Sequence, residues 1–438
     1  MISALREKCR TIYSLFSRGE TSAHLIKTFI LYSLIALSII ITKVLIARLY
    51  GQTELGIFSY FFSLVTVAFL FTSLGFPEAI TQIIVQNPAK MKDALKKALL
   101  FIVPITAIVL FVLLEIKSIF ATEGLEWNFA LYLGVYTLFY LTYSLLRGFK
   151  KFTECSVYSL VNRMVFIGFV ILFAVFSITF NSLLMSMSLA LLIAGIMALP
   201  TIRRVWKSTP QRERVEMREF FNLAMSLFLM QAGFYLLRET DTLLIPYLAG
   251  FQQQAIYSAQ SSISNIIRLV AYVFPVVVLP MAVVSKYKIR ESLLRILKLL
   301  LPFSALILGL TYVAMPLLYG PQYTDRWLPI VLVLSSTLLV IYSYFNSILV
   351  GENKVSAFYF RIILVDFFLT LLVNTGLTIF FVLRWGIVGA PIATGITVLL
   401  KIGWNVWGIR KLREKSEEED DQGANANELL TENHKTVS

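Results

Sequence analysis

The feature that most constrains this chain is a succession of apolar windows, each long enough to cross a bilayer and set off by a short polar connection. Reading them between charges and turn residues predicts spans at 25–50, 56–86, 97–116, 128–147, 156–178, 182–202, 221–248, 255–284, 293–317, 328–350, 356–383 and 386–409. A spanning helix needs roughly 20 apolar residues. A backbone in lipid must satisfy its own hydrogen bonds, and these windows lack the alternation of barrel strands, so helices are required. Of the 438 residues, 58% are hydrophobic and 15% charged, whereas a soluble domain carries about a quarter charged. The expected fold is an all-α polytopic membrane protein of about 12 transmembrane helices, one per window.

Basic residues set the expected orientation, because Lys and Arg are retained on the cytoplasmic side. With the N-terminus inside, 30 of the 39 lie in or beside cytoplasmic segments, and only Arg48, Lys117, Arg326 and Arg384 lie outside. The remaining five, Lys43, Arg163, Arg238, Arg268 and Lys401, fall within spans. Both termini come out cytoplasmic. The net charge of +13 thus reads as an orientation device that touches anionic headgroups, not as a nucleic-acid footprint. Residues 1–24, with Arg6, Lys8, Arg10 and Arg18, lack the core and cleavage site of a leader and read as a basic amphipathic N-terminus. Residues 203–220 read as a charged surface helix connecting two six-helix bundles, 25–202 and 221–409. Residues 410–438 read as a disordered cytoplasmic tail.

Several chemistries are excluded. There is no phosphate-cradling Gly-x-x-x-x-Gly-Lys motif for an ATP-driven pump. Cys9 and Cys155 make no disulfide framework, and His24 and His434 do not resemble metal ligands. No catalytic triad or paired-carboxylate pattern can be argued, so neither an enzyme nor a cofactor is expected.

The two halves echo one another. Leu45-Ile46-Ala47-Arg48-Leu49-Tyr50-Gly51, followed by Ile57-Phe58-Ser59, precedes Leu244-Ile245-Pro246-Tyr247-Leu248-Ala249-Gly250, followed by Ile256-Tyr257-Ser258, by 199 residues. Phe76-Pro77 answers Phe274-Pro275, and Leu146–Lys151 answers Leu349–Lys354, at nearly the same offset. Six spans separate the copies, so both halves enter the membrane in the same direction. Such a parallel repeat is expected to flank a central cavity and rock for alternating access.

At these landmarks the sequence resembles the polysaccharide transporter family, the oligosaccharide-lipid flippases of the superfamily that also holds multidrug exporters and the lipid II flippase. Ile46-Ala47-Arg48-Leu49-Tyr50-Gly51 with Glu54-Leu55-Gly56 is similar to that family's first-loop pattern. Asp241–Gly250 with Ile256-Tyr257-Ser258 resembles its seventh-span signature, and Gly386–Ala393 its entry to the last span. Tyr50 and Pro391 depart from the usual small residues. The resemblance covers roughly residues 25–410. It implies a bacterial inner-membrane protein that moves an undecaprenyl-pyrophosphate-linked glycan, such as an O-antigen repeat of lipopolysaccharide, to the outer leaflet. It also implies membrane lipids and the polymerase or ligase of the same pathway as partners.

Such a cargo needs cations for its pyrophosphate and hydroxyl-bonding or stacking groups for its sugars. A charge at mid-bilayer costs about 2.5–3.5 kcal/mol even on the lenient insertion scale, so intramembrane charges are functional suspects. On the eighth span Ser258, Ser261, Asn265, Arg268 and Tyr272 share one face, fitting either a cavity lining or a hydrogen-bonded helix seam. Arg238 and Asp241 share a face of the seventh span, where they either neutralise one another or leave Glu239 as the rival partner. Lys43 and Arg48 approach the outer end of the first span, Arg48 doubling as a helix C-terminal charge. Arg163 fits both a pyrophosphate contact and a snorkelling headgroup contact. Asp366, Thr370 and Asn374 share a face of the eleventh span, and Asp366 wants a partner such as Arg163 or Lys401. Glu78, after Pro77, sits in a bent second span. Asp241, Asp366 and Glu78 are the candidates for ion coupling. The alternative function, a cation-coupled drug or metabolite exporter, would use those carboxylates rather than the arginines.

Overall fold

The computed structural model describes residues 20–115, 125–209, 213–272, 289–351 and 357–435. Every predicted window is helical over most of its described part. The first half consists of α1 (Glu20–Leu49), α2 (Gln52–Ser73), α3 (Phe76–Gln86), α4 (Met91–Glu115), α5 (Leu125–Gly148), α6 (Phe152–Val175) and α7 (Phe180–Ser208). The second half consists of α8 (Met217–Ala249), α9 (Phe251–Arg268), α10 (Ile289–Ala314), α11 (Leu328–Gly351), α12 (Ala357–Phe368), α13 (Thr375–Trp385) and α14 (Gly389–Lys435). Among the described residues, nine helical stretches are long and apolar enough to cross a membrane, the last taking in α12 to α14. The chain is an all-helical, multi-span membrane protein.

The second window is two helices. Leu74 and Gly75 take left-handed conformations at φ 43° and 72°, and the helix restarts at Phe76 with Pro77 in its first turn. A Cβ on Gly75 would lie 2.2 Å from the Ala224 carbonyl oxygen, so the backbone of α8 leaves room only for glycine. The glycines of the internal repeat behave alike. Gly51 at φ 119° and Gly250 at φ 88° each turn the chain from one helix into the next. Their positive φ is cheap only without a side chain. The repeat landmarks at Phe274-Pro275 and at 352–356 lie outside the described residues.

Two compact units emerge, residues up to Tyr235 and from Leu236 onward, so the division falls inside α8. The core of the first unit packs Phe76, Ile80 and Ile84 of α3 with Met91 and Ala98 of α4, Leu141 and Leu145 of α5, and Phe220 of α8. Ala79, Ala94 and Ala224 let these backbones approach closely, the device that holds helices together where lipid removes the hydrophobic drive. Leu100, Val103, Ile108 and Phe111 instead leave an outward apolar face on α4, as a lipid-facing helix requires. In the second unit Ile245, Tyr257, Leu328, Leu332, Val382 and Ala390 form a core cluster.

Two expectations are corrected. Residues 203–220 do not form a surface helix of their own. α7 runs on to Ser208, residues 213–216 are non-helical, and α8 begins at Met217. Backbone bonding to neighbours replaces the helix: Glu213 N–H donates to Ala89 O at 3.2 Å and Val215 N–H to Asp93 Oδ2 at 3.0 Å, while the Lys97 ammonium bonds Val215 O. Beyond Arg410, where the sequence suggests disorder, α14 continues as far as Lys435. Its Glu, Ala, Lys and Leu residues are good helix formers, and Lys411 pairs with Glu414 at 2.7 Å one turn on. Residues 1–19 lie outside the described residues.

Candidate functional site

The eleventh span carries a buried polar seam in the second unit. Between α12 and α13 the segment Leu369–Asn374 is a π-helix, whose wider turn brings residues four apart nearly into register. Asp366, Thr370, Asn374 and Thr378 therefore hold one face across the junction. α14 packs against it, and Trp404 Nε1 donates to Ile362 O at 3.1 Å. Lys401 of α14 is fully buried. Its ammonium lies 3.0 Å from Asp366 Oδ2, donates to Thr370 Oγ1 at 2.7 Å, and sits 4.6 Å from the ring centroid of Tyr342, whose hydroxyl donates to the same Asp366 oxygen at 3.0 Å. Lys401 is thus the partner of Asp366. One turn away on each helix, Asn374 and Asn405 are buried with neither amide atom bonded.

Asp241 lies in the same unit at 2% exposure. Tyr257 Oη and Thr394 Oγ1 donate to its Oδ2 at 2.8 and 2.9 Å, and Thr378 Oγ1 to its Oδ1 at 3.2 Å. Four helices, α8, α9, α13 and α14, meet on this one carboxyl group. No cation lies within ion-pair distance of it among the described residues, although Arg268 is within electrostatic reach. Hydroxyl oxygens around a carboxylate form an oxygen-rich environment suited to a hard cation or a proton.

Arg238 does not pair with Asp241. It grips Glu239 instead, at 2.6 Å through Nε and 2.5 Å through Nη2. Arg268 is buried and donates through Nε to Ser336 Oγ at 3.1 Å. Asn265, one turn earlier, has a buried Oδ1 without a hydrogen-bond partner. Tyr272 closes the 3₁₀ turn Leu269–Tyr272, and its side chain lies outside the described residues.

In the first unit Arg163 stands near the middle of α6, half-buried, with its guanidinium 5.4 Å from the centroid of Phe62. No carboxylate of the same unit lies within ion-pair distance of it among the described residues. Glu78 of α3 accepts a hydrogen bond from Tyr140 Oη at 3.0 Å. Lys43 is half-buried in α1, and Arg48 is exposed in that helix's last turn, where a cation meets the negative end of the helix dipole. Thr378, Thr394, Tyr257 and Asn405 were not singled out as site residues by sequence. A signal existed: Thr378 extends the four-residue stripe from Asp366, and Thr394, Lys401 and Asn405 form a matching stripe on the last span.

The fold is shared with solved transporters. A structure described as lipid II flippase MurJ in an inward closed conformation aligns with 88% of this chain and 87% of its own, at 16% identity and a TM-score of 0.60. A multidrug resistance MATE family transporter of the MOP superfamily, inward-facing, aligns with 87% of this chain and 96% of its own, at 15% identity and a TM-score of 0.57. The MATE multidrug transporter DinF-BH, in complex with R6G, aligns with 88% and 94%, at 15% identity and a TM-score of 0.51. No curated protein matches the chain in sequence. The family described as polysaccharide biosynthesis protein matches residues 25–285, more than half of the sequence. The chain belongs to that family and is built on a fold shared with transporters of the MOP superfamily.

Proposed function

We propose that the protein flips an undecaprenyl-pyrophosphate-linked oligosaccharide repeat unit from the cytoplasmic to the outer leaflet of a bacterial inner membrane. It does so by alternating access of its two halves, with both termini in the cytoplasm. The observation that carries this reading is Arg163, a cation halfway along an apolar helix with an aromatic ring beneath it and no carboxylate of its own unit to neutralise it among the described residues. A guanidinium in that setting is costly to maintain and is suited to forked binding of phosphate oxygens. Membership of a polysaccharide biosynthesis family supports a glycan cargo, and a fold neighbour is described as a lipid II flippase. Asp241, ringed by three hydroxyls, is the group best suited to couple an ion. Arg238 is neutralised by Glu239, so the further cationic group in the second unit is the buried Arg268.

A cation-coupled drug exporter would turn its carboxylates toward the cargo. Here Asp241 and Glu78 accept hydrogen bonds from protein hydroxyls, and Asp366 is held by Lys401, so the anionic cargo is preferred.

The test is transport in proteoliposomes of a fluorescent undecaprenyl-pyrophosphate oligosaccharide, scored by its accessibility to an external quencher. Arg163→Glu should abolish flipping and Arg163→Lys retain part of it. Undiminished flipping by Arg163→Glu would defeat the reading.

A further inference from the structure

Helix α5 carries a feature that packing alone does not call for. Tyr132, Tyr136, Tyr140 and Tyr143 fall within an arc of roughly 80° on one face. The opposite face exposes Trp127, Leu131 and Leu138, as lipid contact demands. Successive tyrosine rings lie 5.8, 6.1 and 5.8 Å apart with interplanar angles of 34°, 28° and 28°. They form a near-parallel ladder that is buried at Tyr132 and half-exposed at the other three. Cations bracket it: Arg147 lies 5.8 Å from the Tyr143 centroid, and Arg163 is within electrostatic reach of Tyr132. From Tyr132 to Arg147 the ladder rises about 22 Å along the helix axis, most of a hydrocarbon core.

Phe69 braces the ladder edge-on, with its ring 4.9 and 4.8 Å from Tyr136 and Tyr140. Beside these rings a small hollow is lined by Thr66, Ser73, Gln231 and Tyr235. The Gln231 amide makes no hydrogen bond among the described residues, although it is half-buried. Flat π faces, hydroxyls and an unengaged amide form the set that recognises a pyranose ring, which offers C–H groups on one face and hydroxyls around its edge.

We propose that this ladder is a saccharide-binding track, with sugar rings stacking on Tyr136, Tyr140 and Tyr143 while Gln231 and the tyrosine hydroxyls bond the sugar hydroxyls. The hollow itself is no larger than a water site in this state, so a sugar displaces the flexible Gln231 side chain as it enters. The proposal rests on the flippase reading and adds where the glycan, rather than the pyrophosphate, is held.

Two probes separate the ideas: farnesyl diphosphate and the same diphosphate bearing a disaccharide, each titrated calorimetrically into the purified full-length protein. The wild type should bind the glycosylated probe on the order of tenfold more tightly, the scale of one or two aromatic contacts. Tyr136→Phe should keep that increment. Tyr136→Leu should erase it while leaving affinity for farnesyl diphosphate unchanged, which also certifies the fold. Tyr143→Leu serves if Tyr136→Leu fails to fold. No increment in the wild type, or an increment that survives loss of the ring, overturns the track and leaves the flippase reading standing. Failure of both probes to bind overturns the two together.

Discussion

Lys401→Met removes a charge while nearly preserving side-chain length, and its cost can be worked from the surroundings. Lys401 is fully buried, and the Asp366 side chain is only 13% exposed. Without the ammonium, Asp366 Oδ2 keeps the Tyr342 hydroxyl at 3.0 Å, while Oδ1 already has no hydrogen-bond partner. Thr370 loses the 2.7 Å contact to its hydroxyl. Stranding one member of a buried ion pair costs about 3–5 kcal/mol. Neutralising both members is often harmless, so Lys401→Met with Asp366→Asn should return to within about 1 kcal/mol of the wild type. The double variant should thus recover roughly 2–4 kcal/mol of the single variant's loss, well above the scatter of independent sites. Thermal unfolding in lipid nanodiscs, followed by tryptophan emission, reads the cycle; Trp404 is bonded to Ile362 within the same helix pair. A Lys401→Met protein as stable as the wild type would refute the pairing as a structural element. A double variant as weak as the single one would assign the loss to packing of the lysine stem.

Two further outcomes follow from the backbone and from the 213–216 connection. Gly75→Ala should lose about 2–5 kcal/mol, from its left-handed φ and the overlap with Ala224 O and Phe228 N; Gly250→Ala, with nothing within 4 Å, should lose only about 1–2 kcal/mol. Equal losses in thermal unfolding would contradict the close approach of α8. Asp93→Ala removes the acceptor for Val215 N–H and the carboxylate 2.9 Å from Lys97, a cost of about 1–3 kcal/mol. Trypsin should then cut at the exposed Arg214 several-fold faster than in the wild type, and an unchanged rate would mean that Asp93 does not hold the connection.

The bilayer made most of the fold legible. A solvent that forbids unsatisfied backbone forces long apolar windows, and those windows appear as helices wherever they are described. A bend near Pro77 was legible, but the need for glycine at position 75 was not, because it comes from the backbone of α8, more than a hundred residues away. The paired seam was within reach. Gly386 turns the chain between the last two spans, Thr378 and Thr394 lie eight residues either side of it, and Thr370 and Lys401 lie 16 before and 15 after. Antiparallel neighbours joined by a tight turn bring such positions together. That Asp241 joins them depends on how α8 packs in the second unit, which no local pattern records. The ring contacts of α5 were likewise unread, since a tyrosine stripe on a helix looks the same whether it faces lipid, protein or cargo.

The π-turn at Leu369–Asn374 acts as a spacer of fixed length. Were the same residues wound at ordinary α pitch, everything on its N-terminal side would swing by roughly 100° about the axis. Thr378 would stay on Asp241 while Asp366 rotated out from under Lys401, splitting one polar seam into two unrelated patches. A chain one residue shorter here could run at α pitch with both ends of the seam still in phase, so the wide turn is what absorbs the extra residue.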